Sequence, residues 1–430
     1  MDSLTQIVLG AAVGEAVLGK KIGNRAMLWG GIAATIPDLD VLVGNFFMNE
    51  INGLAFHRAI THSIFFAVTF SFILSFYTQW LYAKGHHKSI WYKLLSTIIG
   101  IVILILGVGA VAVISKIIGG IAALIVSLIL LIPPILYLGY RLITKYLNME
   151  QPIIDIGWKS WYKLFFWTIF THPLLDCFTV YGTQLFAPFS NYRVAFNSIS
   201  VVDPLYTVPF ICCLIFASFI GRTYFISDRP STILLSNTIP KQKYNLRKYA
   251  NWAGIIISSC YLIFTLFNKM KVNKILENTL KEKNISYSRY MTGPTILNNI
   301  LWSATAESDT SFYTGHYSFN DNKETFKLFE IPKNHFLIDP KSDDKVVNTL
   351  KWFSKDYYAI IRRNDGRIQI NDLRYSTFKG QPADENGYVF RFVVQKDTSG
   401  RYHLDNALGG PPRGKEAGIL KPLFNRIKGI

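Results

Sequence analysis

Long apolar runs separated by short polar segments fill the first two thirds of the chain and then stop. Eight runs have the composition of membrane-crossing helices, and they are predicted at residues 4–19, 26–37, 62–82, 95–115, 117–143, 160–178, 201–221 and 250–268. The first two are short and rich in glycine and alanine, which lets helices approach closely in a membrane. We therefore expect these two to be half-spanning or tightly packed helices.

The pattern changes after Phe267, where the chain becomes polar and has no further run long enough to span a bilayer. Residues 359–375 alternate apolar and polar positions around Asn364-Asp365-Gly366, which predicts a β-hairpin. Residues 388–395 read as another strand, and 342–353 as a helix with an N-cap serine. The tail from Gly409 is expected to be loose.

The predicted fold is thus an all-α polytopic membrane bundle of about eight helices followed by a small extramembrane α+β or mostly β domain. The boundary is placed between residues 1–268 and residues 269–430.

The distribution of charge along the chain favours a membrane protein over a nucleic-acid-binding protein. The net charge of +17 is shared almost evenly, +9 in residues 1–268 and +8 in residues 269–430, and neither part has a dense basic patch with interleaved aromatics. The charge is better explained by membrane topology and by affinity for anionic lipid headgroups, so membrane lipids and not nucleic acid are the expected partners.

The basic residues of the loops also predict an orientation. With eight spans, one set of loops (around 20–25, 84–93, 141–163 and 222–248) holds sixteen Lys and Arg residues, and the opposite set holds only Arg58, Lys116 and Arg193. Basic loops stay in the cytoplasm. The sequence therefore predicts a multi-pass membrane protein with its C-terminal domain on the non-cytoplasmic side, where that domain can contact an envelope protein.

His172 and Asp176 lie four residues apart at the end of an apolar run, so one helical face presents both. An ionisable residue at such a position is by default a functional hypothesis. Pro173 complicates the prediction, because the residue before a proline is biased away from helix and His172 then caps a helix that starts at Pro173. The alternative to a ligand pair is a capping histidine and a hydrogen-bonded aspartate in a helix bundle.

Two further clusters fall on the same predicted non-cytoplasmic face. Asp38 and Asp40 flank one leucine after a proline, and two carboxylates so close repel unless a cation or basic group lies between them. A turn-and-cap role is the alternative. His57 and His62 are five residues apart, with His57 expected on a loop and His62 inside a helix that Thr61 caps.

Histidine and aspartate without organised cysteines suit a divalent metal such as Zn, Mn or Fe, one ion or two. The candidate ligands are His57, His62, His172, Asp176, Asp38 and Asp40. A carboxylate that does not bind the metal is available as a general base, which makes Asp38, Asp40 and Asp203 the catalytic candidates. Asp203 precedes Pro204, so capping explains it equally well.

Arg58 and Arg193 are the candidate substrate-binding residues. They are two of only three basic residues in the outer loops, and guanidinium groups beside a metal suit a phosphate or another anionic substrate. A headgroup contact or an ion pair with one of the aspartates explains them as well.

The chain resembles the YdjM-like family of predicted inner-membrane, metal-dependent hydrolases over about residues 1–220. The resemblance rests on Met1-Asp2-Ser3-Leu4-Thr5-Gln6, Pro37-Asp38-Leu39-Asp40, the segment His57–Ser63 and Thr171-His172-Pro173-Leu174-Leu175-Asp176. It implies a multi-helix membrane protein with a metal site formed by these His and Asp residues. Many members have histidine where this chain has Gln6, a poor metal ligand.

The leading hypothesis is a membrane-embedded, metal-dependent hydrolase acting at the non-cytoplasmic face on a lipid or cell-envelope phosphoester. The HxxxD spacing is also similar to that of zinc-dependent phospholipases C, an analogy that fits such a substrate. One rival is a non-catalytic membrane scaffold with a structural polar cluster. Another is a transporter, which is disfavoured because the sequence has no internal repeat.

Overall fold

The computed structural model describes residues 1–101, 153–222, 241–338, 344–381, 384–398, 400–409 and 416–430, together with scattered positions from 125 to 144. The predicted span at 117–143 and most of that at 95–115 fall outside the continuously described segments. Helices in the first part are α1 (Ser3–Ile22), α2 (Asn24–Thr35), α3 (Asp40–Phe47), α4 (Glu50–Phe56), α5 (Ile64–Ala83), α6 (Ile90–Ile101), α7 (Trp158–Asp176), α8 (Pro204–Arg222) and α9 (Lys241–Glu282).

Within the described residues, three helical segments are long and apolar enough to cross a membrane: Asn24–Phe47, Ile64–Ala83 and Asn245–Glu282. The first joins α2 and α3 through a 3₁₀ turn at Pro37–Leu39. The helices α6 and Pro204–Ile220 are apolar but shorter. The described part of the chain therefore supports a membrane protein with three candidate spans.

The helices α1 and α2 pack backbone against backbone, as their small residues predicted. A Cβ added to Gly10 would lie 2.5 Å from the carbonyl oxygen of Gly30, and one added to Gly30 would lie 2.2 Å from that of Gly10. Only glycine permits this approach. Trp161, Phe165 and Ile169 of α7 fill the core beside this pair.

The C-terminal domain has two four-stranded antiparallel sheets in the strand orders β1-β2-β3-β4 and β5-β6-β7-β8. The strands are β1 (Arg289–Pro294), β2 (Leu301–Glu307), β3 (Ser311–Ser318), β4 (Lys327–Pro332), β5 (Tyr358–Arg362), β6 (Ile368–Thr377), β7 (Tyr388–Lys396) and β8 (Tyr402–Gly409). The hairpin predicted around Asn364-Asp365-Gly366 is confirmed as β5–β6, and the strand predicted at 388–395 as β7.

Two predictions for this domain need correction. The helix α10 (Lys345–Phe353) starts after Asp344, whose carboxylate accepts from the backbone N–H of Val346 and Val347, so an aspartate caps it and not a serine. The tail is not loose throughout, because Glu416–Ile427 forms the helix α11. Arg426 of α11 forms an ion pair with Asp321.

The helix α9 runs without interruption from the membrane part into the C-terminal domain. Its last turns bury Val272, Leu276 and Leu280 against Trp302 and Tyr317 of the first sheet. Hydrogen bonds also connect the C-terminal domain to the loop between α7 and α8. Asn299 donates to the carbonyl of Ser198 (2.7 Å), and Lys355 donates to that of Arg193 (3.0 Å). The C-terminal domain therefore lies beside the C-terminal end of α7 and the N-terminal end of α8, which are joined by the segment that contains residues 183–203.

Candidate metal centre and neighbouring arginines

Four of the predicted ligands meet at one point. Asp38 lies in the 3₁₀ turn after α2, His62 in the 3₁₀ turn before α5, and His172 and Asp176 in the last turns of α7. One ligand atom from each lies within 4.8 Å of the others. The helix continues through Pro173, so His172 does not cap it, and the two α7 residues share a face as the spacing predicted, with Nε2 and Oδ2 3.4 Å apart.

Hydrogen bonds to Nδ1 orient both imidazoles. Nδ1 of His172 lies 2.6 Å from the carbonyl oxygen of Ala34, which only accepts, so this nitrogen carries a proton. Nδ1 of His62 faces Thr61 Oγ1 (3.1 Å) and Asp40 Oδ2 (3.3 Å). In the neutral form that binds a metal, each ring therefore turns the lone pair of Nε2 inward.

The two oxygens of Asp176 have different surroundings. Oδ1 accepts from the nitrogen of Met1 and from Gln6 Nε2 (3.1 Å), and lies 3.3 Å from Arg58 Nη2. Oδ2 is buried and accepts no hydrogen bond, and Gln6 Oε1 is also buried without a partner among the described residues. Buried polar atoms without partners are uncommon and call for a ligand or ion.

Five of the six separations within this cluster are close to those around a tetrahedral ion, and the sixth, between the two carboxylate oxygens, is within 4.8 Å. His62 Nε2 lies 3.1 Å from His172 Nε2, and the two nitrogens lie 3.3–3.5 Å from Asp38 Oδ1 and Asp176 Oδ2. Ligands bonded at roughly 2.0–2.1 Å in a tetrahedron are about 3.3 Å apart. We call these four residues the metal cluster; they suit a hard or borderline divalent ion, since two carboxylates and two neutral imidazoles carry a charge of −2.

Access to the metal cluster is narrow. The side chains of His62, His172 and Asp176 have no exposed surface, whereas that of Asp38 is 17% exposed. Solvent therefore reaches the cluster beside Asp38.

Asp40 and His57 lie next to the metal cluster and not in it. Asp40 Oδ1 bonds to His57 Nδ1 (3.0 Å), and Oδ2 accepts from the Arg58 backbone N–H (2.9 Å) and from Thr61 Oγ1 (3.1 Å). With its oxygens occupied in this way, Asp40 positions the histidines. Thr61 does not cap α5; Ser63 does, accepting from the N–H of Phe66.

Asp203 is remote from the metal cluster in its contacts. It caps α8, accepting from the Leu205 backbone N–H (3.0 Å) and from the Tyr261 hydroxyl (3.0 Å). The capping interpretation of the residue before Pro204 thus has a direct structural basis.

Both predicted substrate arginines are buried beside the metal cluster. Arg58 donates to Thr179 Oγ1 (3.0 Å) and faces Asp176, while Arg193 donates to the carbonyl of His57 (3.0 Å). Their guanidinium carbons lie 4.9 and 4.7 Å from the centroid of the Tyr181 ring. Sequence reasoning missed Tyr181, and the motif around it carries no signal that would have singled it out.

A family model described as YdjM inner membrane protein matches residues 1–272. The chain belongs to the YdjM family of inner membrane proteins. The match covers the whole metal cluster and extends beyond the predicted resemblance to residues 1–220, up to the point in α9 where the C-terminal domain begins.

Comparison with curated proteins and with solved structures found no match. For this YdjM-family protein, the family therefore establishes the membrane location, and the arrangement of side chains carries the case for chemistry.

Proposed function

We propose that this protein is a membrane-embedded, metal-dependent hydrolase that acts on a lipid or cell-envelope phosphoester. The observation that carries the proposal is the metal cluster, in which two imidazole nitrogens and two carboxylate oxygens converge at tetrahedral separations and Asp176 Oδ2 has no hydrogen bond. In a purely structural cluster a protonated imidazole would donate to that oxygen, from His172 Nε2 at 3.4 Å or His62 Nε2 at 3.5 Å, so the metal content decides between the two.

A divalent ion bound there supplies Lewis-acid polarisation of a phosphoryl oxygen and a lowered pKa for water. The chain's own residues supply the rest. Asp38, the partly exposed member of the cluster, lies at the approach, and Arg58 is placed to bind an anionic group within reach of the cluster.

His57 is the side chain best placed to accept a proton. Its Nδ1 is held by Asp40, its ring is 26% exposed, and its ring centroid lies 6.0 Å from that of His62. A histidine oriented by a carboxylate, with its other nitrogen free, has the arrangement of a general base. We therefore assign His57 to proton transfer and Asp40 to its orientation.

The proposal includes the orientation in the membrane. The N-terminal ends of α1 and α5 and the C-terminal ends of α2 and α7 converge on the site, and the C-terminal domain lies at these same ends. The site and the domain therefore share one face. Sixteen basic residues against three in the loops of an eight-span topology support a periplasmic location for both.

Elemental analysis of the detergent-purified protein tests the metal. We expect about one divalent ion per chain in the wild type and none in His172→Ala or Asp176→Ala. The control is Asn251→Ala, which alters a buried polar side chain of the same bundle that bonds only to the Ala12 carbonyl. A wild type that stays metal-free after dialysis against zinc and manganese would favour the scaffold function instead.

Hydrolysis is tested on the metal-loaded protein with a panel of phospholipids and envelope phosphoesters. Turnover that disappears in His172→Ala and falls at least about a hundredfold in His57→Ala, the usual contribution of a general base, supports the proposal. Full metal content without turnover of any phosphoester would assign the ion a structural role.

A further inference from the structure

Arg193 is a buried cation without a counter-charge. Its side chain is 2% exposed, and within the described residues no carboxylate forms an ion pair with it. Nη2 donates to the His57 carbonyl, but Nε and Nη1 have no hydrogen-bond partner. A buried, uncompensated charge is strongly unfavourable, so the free protein retains an arginine whose position calls for an anion.

Aromatic rings surround this guanidinium without satisfying its N–H groups. Its central carbon lies 4.7 Å from the centroids of Tyr181 and Trp352 and 5.1 Å from that of Phe353. Ring faces attract the charge, yet they leave the two unpaired donors open to an oxygen ligand.

A second arginine reaches the same rings from the C-terminal domain. Arg374 of β6 is 2% exposed, and its guanidinium carbon lies 4.8 Å from the Phe353 centroid. It is paired with Asp372 through Nη2 (2.6 Å), but its Nη1 has no partner among the described residues. The adjacent Tyr375 hydroxyl is buried and equally unpartnered.

The local charge is positive. Within the described part of the chain, the ion pairs of Arg58, Arg193, Arg374 and Lys355 are those of Arg58 with Asp176 and of Arg374 with Asp372, and Asp176 also belongs to the metal cluster. Burial, together with Arg374 and Arg58, lowers the pKa of Arg193. Burial, Arg374 and Arg193 lower the pKa of Lys355 to about 8. Like charges held this close are stabilised when an anion lies between them.

We propose that Arg193, Arg374 and the Tyr375 hydroxyl form a binding site for a phosphate group, built jointly by the membrane part and the C-terminal domain. Several unpartnered donors and more than one positive charge suit a multiply charged tetrahedral oxyanion better than a carboxylate. The argument for phosphate binding depends only on the side chains of this site. Its role in holding the substrate of the metal cluster rests on the proposed function.

The phosphate group has two sources, a lipid headgroup or a free anion. Phe186, Phe189 and Tyr192, in the same loop as Arg193, are 50%, 84% and 64% exposed, which is typical of aromatic residues at a membrane surface. A headgroup at that surface would present its phosphate at the depth of Arg193.

The test is equilibrium binding of radiolabelled inorganic phosphate to the full chain in detergent, after EDTA treatment so that no metal contributes. We expect saturable binding that weakens by about tenfold to a hundredfold in Arg193→Gln and in Arg374→Gln, the usual range for a hydrogen bond to a charged group. Tyr375→Phe, which keeps the ring, should weaken it by about three- to tenfold.

The matched control is Arg289→Gln. Arg289 also lies over an aromatic ring of the C-terminal domain, 4.3 Å from the centroid of Tyr357, but its charge is paired with Glu307. Phosphate binding should be unchanged in this variant. Arg374→Lys provides a second version should Arg374→Gln not fold, because lysine keeps the charge and loses the planar fork, and it too should bind more weakly.

Vesicles of phosphatidate in phosphatidylcholine, compared with phosphatidylcholine alone, separate the two sources. Competition by phosphatidate well below the concentration of inorganic phosphate assigns the site to a headgroup; binding of inorganic phosphate alone assigns it to the free anion. No saturable binding of either, or binding that Arg193→Gln and Arg374→Gln leave intact, overturns the proposal. The EDTA-treated protein gives this answer whether or not the metal cluster hydrolyses anything.

Discussion

Two buried polar clusters lie in the helices of this protein, and they are built on opposite principles. In the first, which we call the ion-pair cluster, Arg247 of α9 donates from Nε and Nη2 to the two carboxylate oxygens of Glu15, and from Nη1 to Asn24 Oδ1 (2.5 Å). Charges cancel one to one and every named atom has a partner. In the metal cluster, two carboxylates and two imidazoles converge, and Asp176 Oδ2 lies 3.4–3.5 Å from both Nε2 atoms without a hydrogen bond to either.

The comparison separates structure from function within one bundle. A saturated ion pair holds α1 against α9 and requires nothing further. The metal cluster has the residues to hold a divalent cation, which is why it, and not the ion-pair cluster, is the candidate for chemistry. Each prediction below perturbs one cluster and compares the result with the other cluster or with a matched variant.

Chelation should give the largest effect. An ion present at about a thousand times its dissociation constant stabilises the folded state by about 4 kcal/mol. We expect EDTA to lower the melting temperature of the wild type and to leave that of Asp176→Asn unchanged, measured by thermal denaturation in detergent. Glu15→Gln should lower the starting temperature yet respond to EDTA as the wild type does. An equal response of Asp176→Asn and wild type would remove the distinction between the clusters.

Breaking the ion-pair cluster should lower the stability of the folded protein and leave its metal content unchanged. Arg247→Met leaves the Glu15 carboxylate buried and unpaired, which typically destabilises a protein by about 3–5 kcal/mol. The double variant Glu15→Gln/Arg247→Met removes both charges and should recover most of that loss. Denaturation midpoints and elemental analysis on the same samples check both statements. Metal loss in Arg247→Met would show that the two clusters are coupled.

The sequence predicted the parts of the site that local geometry determines. The spacing of His172 and Asp176 places them on one helical face, and the structure has them there. The sequence could not show which of Asp38 and Asp40 is the candidate ligand. Residues that are two positions apart in a 3₁₀ turn point to different sides. One faces the metal cluster and the other faces His57.

Contacts between distant parts of the chain could not be predicted in this way. Arg374 lies 181 positions after Arg193, and both lie near the Phe353 ring only because the C-terminal domain docks on the loop 183–203. Nothing in the alternation of β6 marks that residue. The helix α11 was missed for a similar reason, since its ion pair with Asp321 and the burial of Leu423 depend on the folded domain.

Asp40→Asn should weaken metal binding without abolishing it. The residue bonds to the histidines and not to the ion, and loss of such a partner typically lowers affinity by about ten- to a hundredfold. Titration of the metal-free variant with zinc measures this, with Glu15→Gln as the unaffected reference. Complete loss of zinc binding would indicate that Asp40 ligates an ion itself.

Thr61→Val should have the smallest effect, and it asks how Asp40 acts on His62. Nδ1 of His62 is 3.1 Å from Thr61 Oγ1 and 3.3 Å from Asp40 Oδ2, and Thr61 itself donates to Asp40. If the direct contact orients the ring, valine removes about one hydrogen bond, roughly 1 kcal/mol or a fivefold loss of zinc affinity. Thr69→Val, whose hydroxyl donates to the Phe65 and Phe66 carbonyls within α5, should leave zinc affinity unchanged. A loss of zinc affinity as large as that of Asp40→Asn would instead mean that Asp40 acts on His62 through Thr61. The metal cluster would then depend on two consecutive hydrogen bonds, whereas the ion-pair cluster depends on direct contact.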